Sequence, residues 1–210
     1  MKQRNPYLEV PALPDAESIN LIDFLNAEKK NIEIEIGFGK GHFLLERAAA
    51  APDAVILGIE TRRKWVHLVQ SRIQKWRRTN AIVLHGNARE AFPRFVPDGG
   101  IARVFIHFPD PWWKARHEKR MVICPELLVE ATRLLEDDGD LFVQTDVDFR
   151  ADHYQQLLVS CEALYPAEGD GRVAKNPFLA HSLRETKAES VGLPIFRLHF
   201  KRRSRLSSSR

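Results

Sequence analysis

Glu35-Ile36-Gly37-Phe38-Gly39-Lys40-Gly41 sets a carboxylate two residues ahead of three alternating glycines. Glycines so spaced between an apolar run and a helical pattern let the backbone pass close to a ligand with no side chain in the way. The chemistry implied is nucleotide binding. A dinucleotide fingerprint needs its third glycine one place later, where His42 stands, which disfavours NAD. Glu60 closes the next apolar run, and a carboxylate there can accept from both hydroxyls of a ribose. The most specific stretch is Phe108-Pro109-Asp110-Pro111-Trp112-Trp113-Lys114, continuing through Arg116, His117, Lys119 and Arg120. Two prolines stiffen the backbone around Asp110 and hold its carboxylate in place. The indoles and cations that follow suit an unstacked base and its flanking phosphates; a proline-rich loop with core tryptophans and solvated cations is the plainer reading.

These residues need a scaffold that gathers the ends of several strands. After a proline-interrupted leader to Pro14, the pattern predicts a helix over Ala16–Ala27, a strand over Asn31–Ile36 and a helix over Phe43–Ala51. A strand over Ala54–Glu60, a helix over Arg62–Arg78 and strands over Ala81–His85 and Ala102–Phe108 follow. A helix over Pro125–Leu135 and a strand over Leu141–Thr145 complete the alternation. In Arg62–Arg78 the stripe Trp65, Val69, Ile73, Trp76 recurs at helical spacing, with arginines on the other faces. Strands alternating with helices predict an α/β fold, a mostly parallel sheet with helices on both faces that binds ligands at the carboxyl ends of its strands. The glycine loop, Glu60, Asn87-Ala88, Phe108–Lys114 and Asp146 all fall there. Past Tyr165, two further strands near Leu183–Glu189 and Ile195–Phe200, joined by a Gly192-Leu193-Pro194 hairpin turn, predict an antiparallel C-terminal edge. The expected organisation is a flexible leader over 1–14, a single domain over 15–203 and a disordered basic tail over 204–210.

The 210 residues, 44% hydrophobic and 29% charged, have the composition of one soluble globular domain. No window approaches the roughly 18 apolar residues of a membrane span, and Met1–Pro14 lacks a signal-peptide core, so a cytoplasmic protein is expected. Cys124 and Cys161 are too few for a disulfide framework and read as buried small apolar residues. His42, His107 and His117 lie near the predicted cleft without metal-ligand spacing, so no metal is expected. The net charge is a modest +4 but is segregated. Arg62–Arg78 and Arg197–Arg210 are basic without an acid, whereas Glu126–Asp152 is strongly acidic. Basic stretches on a balanced chain fit a polyanion partner, and equally a set of solvated faces.

The Glu35–Gly41 pattern resembles the first motif of Rossmann-like S-adenosylmethionine-dependent methyltransferases. That resemblance implies Glu35, Gly37 and Gly39 at the methionine end of the cofactor, Glu60 on the ribose, and Asn87 with the Ala88 backbone at adenine. An amide oxygen at Asn87 would accept from the adenine amine. The Phe108–Arg120 segment resembles the signature of bacterial tRNA (guanine-N7-)-methyltransferases. Thr145-Asp146, the Thr186-x-x-Glu189 pair and the N-terminal Arg4-Asn5-Pro6-Tyr7 are similar to that family too. The resemblance runs in order from near the N-terminus to about Lys201. It implies methyl transfer from S-adenosylmethionine to N7 of a variable-loop guanine in tRNA. Asp110 would be the catalytic carboxylate and a cofactor contact, and Lys114, Arg116, Lys119, Arg120, Asp146, Thr186 and Glu189 the guanine or RNA contacts. Departures from the family pattern are Met121, where the basic run usually continues, Ala188, where an aromatic is common, and Asn87, where an acid is frequent. Another RNA or a small-molecule substrate, or a catalytically silent RNA-binding domain, remain the alternatives. The oligomeric expectation is a monomer or homodimer.

Overall fold

The computed structural model describes residues 6–28, 30–111 and 121–205. In chain order its elements begin with the short strand β1 (Ile19–Asn20), α1 (Leu21–Leu25), β2 (Asn31–Ile36), α2 (His42–Ala50), β3 (Ala54–Glu60) and α3 (Arg63–Trp76). β4 (Ala81–His85), α4 (Ala88–Ala91), β5 (Phe95–Val96), β6 (Ile101–His107), α5 (Pro125–Leu134) and β7 (Leu135–Thr145) follow. The chain closes with α6 (Asp148–Ser160), β8 (Leu164–Pro166), α7 (Leu183–Ser190) and β9 (Phe196–Arg202).

One seven-stranded sheet has the order β4-β3-β2-β6-β7-β9-β8. β4, β3, β2, β6 and β7 run parallel, and β9 is antiparallel to both β7 and β8. The order turns back between β2 and β6, so the loops after those strands diverge and leave a crevice at their carboxyl ends. The period-2 alternation of β2 puts Ile32, Ile34 and Ile36 into the larger apolar core and turns Glu33 and Glu35 to the opposite face. Both acids are nevertheless buried. The strand register explains how, because it aligns Glu33 with Arg103, Arg103 with Asp140, and Asp140 with Lys201 in one row across the sheet. Arg47 from α2 clamps Glu33 through two hydrogen bonds of 2.7 Å, and Arg103 adds a third. The next row holds Glu35, Phe105, Phe142 and His199, and the last His107, Gln144 and Arg197.

Several expectations are corrected. The first helix begins only at Leu21, because Asn20 accepts from the Ile22 and Asp23 amides as its cap, while Ile19–Asn20 pairs with Phe95–Val96. Leu183–Glu189 is helical and not a strand. Ser182 caps it by accepting from the Glu185 amide, and Gly192 at φ +68° ends it, the Leu193 amide returning to the Ala188 carbonyl. Gly192-Leu193-Pro194 is therefore a helix terminus, and the antiparallel edge is made by β8 and β9. The buried stripe of α3 is Val66, Val69 and Ile73, with Trp65 half-buried; Trp76, at the last residue before the chain turns through Arg77 in the left-handed region, is 49% exposed. Within the leader, Val10 is buried and Pro11–Leu13 hydrogen-bonds along β4, so residues 10–13 are docked. Arg205 is likewise held, by Asp137 and the Arg133 and Leu135 carbonyls. Cys124 and Cys161 are free and half-buried at the margin of the main core.

Candidate active site

The strand β2 delivers the chain into a loop whose three glycines all lie in the left-handed region, φ +74°, +52° and +71°. Gly41 also has no room for more, since a Cβ there would come within 2.6 Å of Val69 on α3. The loop is tied to the neighbouring strand by the Gly37 amide donating to the Ile59 carbonyl at 2.8 Å and the Gly39 amide to Glu60 Oε2 at 3.1 Å. Glu60 Oε1 meanwhile accepts from the Arg62 amide at 2.9 Å. The Thr61 hydroxyl adds a donor to Oε1 at 3.3 Å, so Glu60 is buried and oriented before any ligand arrives, with a lone pair on Oε2 to spare.

Two adjoining cavities, about 640 and 500 Å³, open on this loop and share Gly37, Gly39, His107 and Phe108. The larger is lined by Glu60, Trp65, Asn87, Ala88 and Asp110. The smaller is lined by Glu35, Phe43, Asp146, Arg184, Lys187 and Leu193 among others. Between them, Glu35 Oε1 lies 3.0 Å from His107 Nδ1, and the His107 ring packs 4.1 Å from that of Phe43. Glu35 Oε2 and His107 Nε2 are both buried and have no partner among the described residues. A carboxylate oxygen in that state is costly unless a donor arrives, and an ammonium group is the donor that compensates it best.

Asp110 is 59% exposed at the cleft mouth, where Arg62 reaches it at 3.4 Å. Its backbone is braced from behind by the buried Arg150, which donates to the Pro111 carbonyl at 2.7 Å. Phe108 adopts φ +47°, an uncommon conformation for an aromatic residue, with its amide on the Gln144 carbonyl. Arg184 from α7 lies over the Phe108 ring at 5.7 Å and pairs with Asp146 at 2.7 Å. His42, on the rim of the smaller cavity, has its pKa lowered by burial and by the Arg72 and Lys40 charges, against the pull of Glu46.

Among the residues predicted from sequence, Glu35, Gly37, Gly39, Glu60, Asn87, Ala88, Asp110 and Asp146 are brought together at this cleft. Asn87 is there in a different capacity, as the cap of α4. Its amide oxygen already accepts from the Arg89 amide and its nitrogen donates to Glu90, leaving one lone pair for a ligand. Thr186 and Glu189 do not line either cavity. The Thr186 hydroxyl donates to the Ser182 carbonyl, and Glu189 pairs with Arg197. Lys114, Arg116, Lys119 and Arg120, with Trp112 and Trp113, lie outside the described residues.

The family model described as "Putative methyltransferase" matches residues 29–198. The tRNA (guanine-N(7)-)-methyltransferase of Anaeromyxobacter dehalogenans is 36% identical over 80% of this chain and 83% of its own length. The chain belongs to that family. Another member, from Rhodopirellula baltica, is 31% identical over 82% of this chain and 66% of its own length. The crystal structure of the 16S rRNA methyltransferase KamB superposes with a TM-score of 0.65 at 13% identity, covering 92% of this chain and 98% of that one. At that identity the likeness is one of fold, the Rossmann-like methyltransferase architecture.

The methyl donor of this family is S-adenosylmethionine, and the site fits it. The donor carries an ammonium group for the unpaired Glu35 oxygen, and two ribose hydroxyls for Glu60. The glycine loop leaves open space at Gly37 and Gly39, where a Cβ would meet nothing, so backbone conformation alone calls for glycine there. The sequence sets His107 near the cleft and Arg62 in a basic run without assigning either a role, and Arg184 and the buried Glu185 were not anticipated at all. Of these only Glu185 had a local signal, the Ser182-x-x-Glu185 capping box. Among the described residues no three His, Cys, Asp or Glu side chains cluster to hold a metal, and no helix is long and apolar enough to cross a membrane.

Proposed function

We propose that this chain transfers the methyl group of S-adenosylmethionine to N7 of a variable-loop guanine in tRNA, and so works in the cytoplasm. The observation that carries the reading is the buried, unpaired Glu35 oxygen at the end of the strand that leads into the glycine loop. When bound, S-adenosylmethionine supplies an electrophilic methyl group on a positively charged sulfur. Glu35 receives its ammonium group, Glu60 its ribose hydroxyls, and Asn87 with the Ala88 backbone its adenine edge in the larger cavity.

Guanine N7 presents an in-plane lone pair and carries no proton, so no base has to remove a hydrogen. The protein's task is alignment and electrostatics. The smaller cavity takes the base between Phe108 and the face of α7 that presents Leu183 and Ala188 beside Arg184 and Lys187. Asp110, reaching across from the mouth of the adjoining larger cavity, or Asp146 on the wall of the smaller one as second choice, faces the positive charge that develops on the purine. Lys114, Arg116, Lys119 and Arg120 run along the RNA. Thr186 and Glu189, exposed on α7 outside the cavity, suit the polynucleotide's hydroxyl groups more than the base.

The test is transfer of labelled methyl groups to unmodified tRNA transcripts, followed by aniline cleavage. Cleavage at the variable-loop guanine that vanishes when that base is replaced is expected. Label in RNA without aniline-sensitive sites overturns the N7 assignment, and no label in RNA overturns the substrate.

A further inference from the structure

Residues 176–181, just ahead of α7, form a turn pinned from both sides. Asn176 accepts from the Phe178 amide at 3.0 Å and donates to the Ala180 carbonyl at 2.9 Å. Arg47 holds the Phe178 carbonyl at 3.0 Å, and Glu46 accepts from the His181 amide at 2.8 Å. Phe178 and Ala180 are buried. Between them Leu179 is 80% exposed and sits at φ +52°. Neither packing nor backbone preference favours leucine here. Glycine or asparagine would satisfy both better, because the left-handed region disfavours a bulky side chain and water disfavours an apolar one. A strained residue kept in place by its surroundings points to a function at that position.

The location indicates which one. Ser182 and Leu183 already line the smaller cavity, so Leu179 stands within about 10 Å of its rim along the chain. The rim also presents half-exposed Leu183 and Leu193 beside Arg184 and Lys187. An apolar tip within chain reach of a rim that carries Lys187 and the Asp146-paired Arg184 fits a polynucleotide whose stack has been opened, since aliphatic side chains wedge between bases while cations meet phosphates.

We propose that Leu179 is a wedge that enters the tRNA core in the gap left when the target guanine turns into the smaller cavity. This rests on the tRNA reading above and adds the means by which a stacked base, held in tertiary contacts, is drawn out. Cations on the rim favour RNA over a second copy of this chain as the occupant.

The test uses the full chain carrying Leu179→Gly, with Leu179→Met as the conservative control. Glycine relieves the backbone at φ +52°, so the melting temperature is expected to stay level or rise, and S-adenosylhomocysteine affinity by calorimetry to stay unchanged. On folded tRNA, kcat/KM of the glycine variant is expected to fall at least tenfold. On a short unstructured RNA bearing the same guanine it should match the unsubstituted protein, and methionine should restore most of the loss. With 2-aminopurine at the target position, the fluorescence rise on binding should be lost in the glycine variant.

Wild-type rates on folded tRNA, or equal losses on folded and unstructured RNA, overturn the wedge while the substrate reading stands. A dimer that dissociates on substitution, with base extrusion intact, assigns the tip to a second copy and overturns it too. If the unsubstituted protein methylates neither RNA, the substrate reading falls and the wedge with it.

Discussion

Glu35 and His107 bind each other through one polar atom each and leave the other buried and unpaired, which makes this pair the sharpest residue-level feature of the cleft. A hydrogen bond to a charged group contributes about 1.5–3 kcal/mol. Glu35→Gln, which keeps the shape and removes the charge, should therefore weaken S-adenosylhomocysteine binding by roughly 10- to 100-fold. By calorimetry, 5′-methylthioadenosine, which lacks the amino-acid part, should bind unchanged; equal losses for both ligands would show that Glu35 only shapes the loop. Asp110 calls for the opposite kind of measurement. Being exposed, it contributes little to the fold, so Asp110→Ala should leave the melting temperature and tRNA KM near wild type while kcat falls by about 10²-fold. A kcat near wild type would remove Asp110 from the chemistry.

At the scale of elements, α7 forms one wall of the smaller cavity, and its buried anchor is the Glu185 carboxylate, with Glu189 paired to Arg197 and Arg184 to Asp146 nearer the surface. Glu185 accepts from Gln144 of β7 at 2.6 Å and from Arg197 of β9 at 3.0 Å, and contacts Asn176 of the preceding turn at 3.2 Å. Removing one partner of a buried ion pair costs up to about 3–5 kcal/mol, an upper bound here because Arg197 keeps Glu189 at 2.8 Å. Glu185→Ala is expected to destabilise the protein by that order in urea unfolding, and to speed amide exchange in residues 183–190 beyond the global effect. Uniform loss of protection, with α7 no different from β2, would contradict α7 as a separately anchored unit. No period-2 alternation supports a strand over Leu183–Glu189, whose apolar residues Leu183 and Ala188 stand five apart. Its true signals were Ser182 three places before Glu185 and the spacing of buried Glu185 and Ala188.

For the whole molecule, the parallel sheet carries a polar row through its interior, and that row makes stability depend on pH. Burial opposes the Asp140 charge, but the His199 hydrogen bond and charge, with Lys201 and Arg103, outweigh it and hold the carboxyl below its ordinary value. A carboxyl depressed in the folded state adds stability that is complete above its unfolded pKa, about 3.9, and is lost as the pH falls through the folded value. Urea midpoints measured from pH 6 down to pH 2.5 should therefore drop, with a shallower acid limb in Asp140→Asn. An unchanged limb would assign the acid sensitivity to other groups.

By itself the sequence determined the alternation of strands and helices, the boundaries of β2, β3 and β4 to the residue, the glycine loop, and the carboxylates at the strand ends. Those features rest on local pattern, hydrophobic period and glycine spacing, which the chain carries wherever it folds. Only the tertiary structure decided what surrounds them. It revealed that Glu33 and Glu35 are buried in the sheet because Arg47, Arg103 and His107 arrive from elsewhere, and that Asn87 is engaged as a helix cap. It also showed Arg62 and Arg184 closing on Asp110 and Asp146 from segments 48 and 38 residues away. Partners so distant in sequence meet only through the register of the sheet and the packing of its helices, and no local periodicity records that meeting.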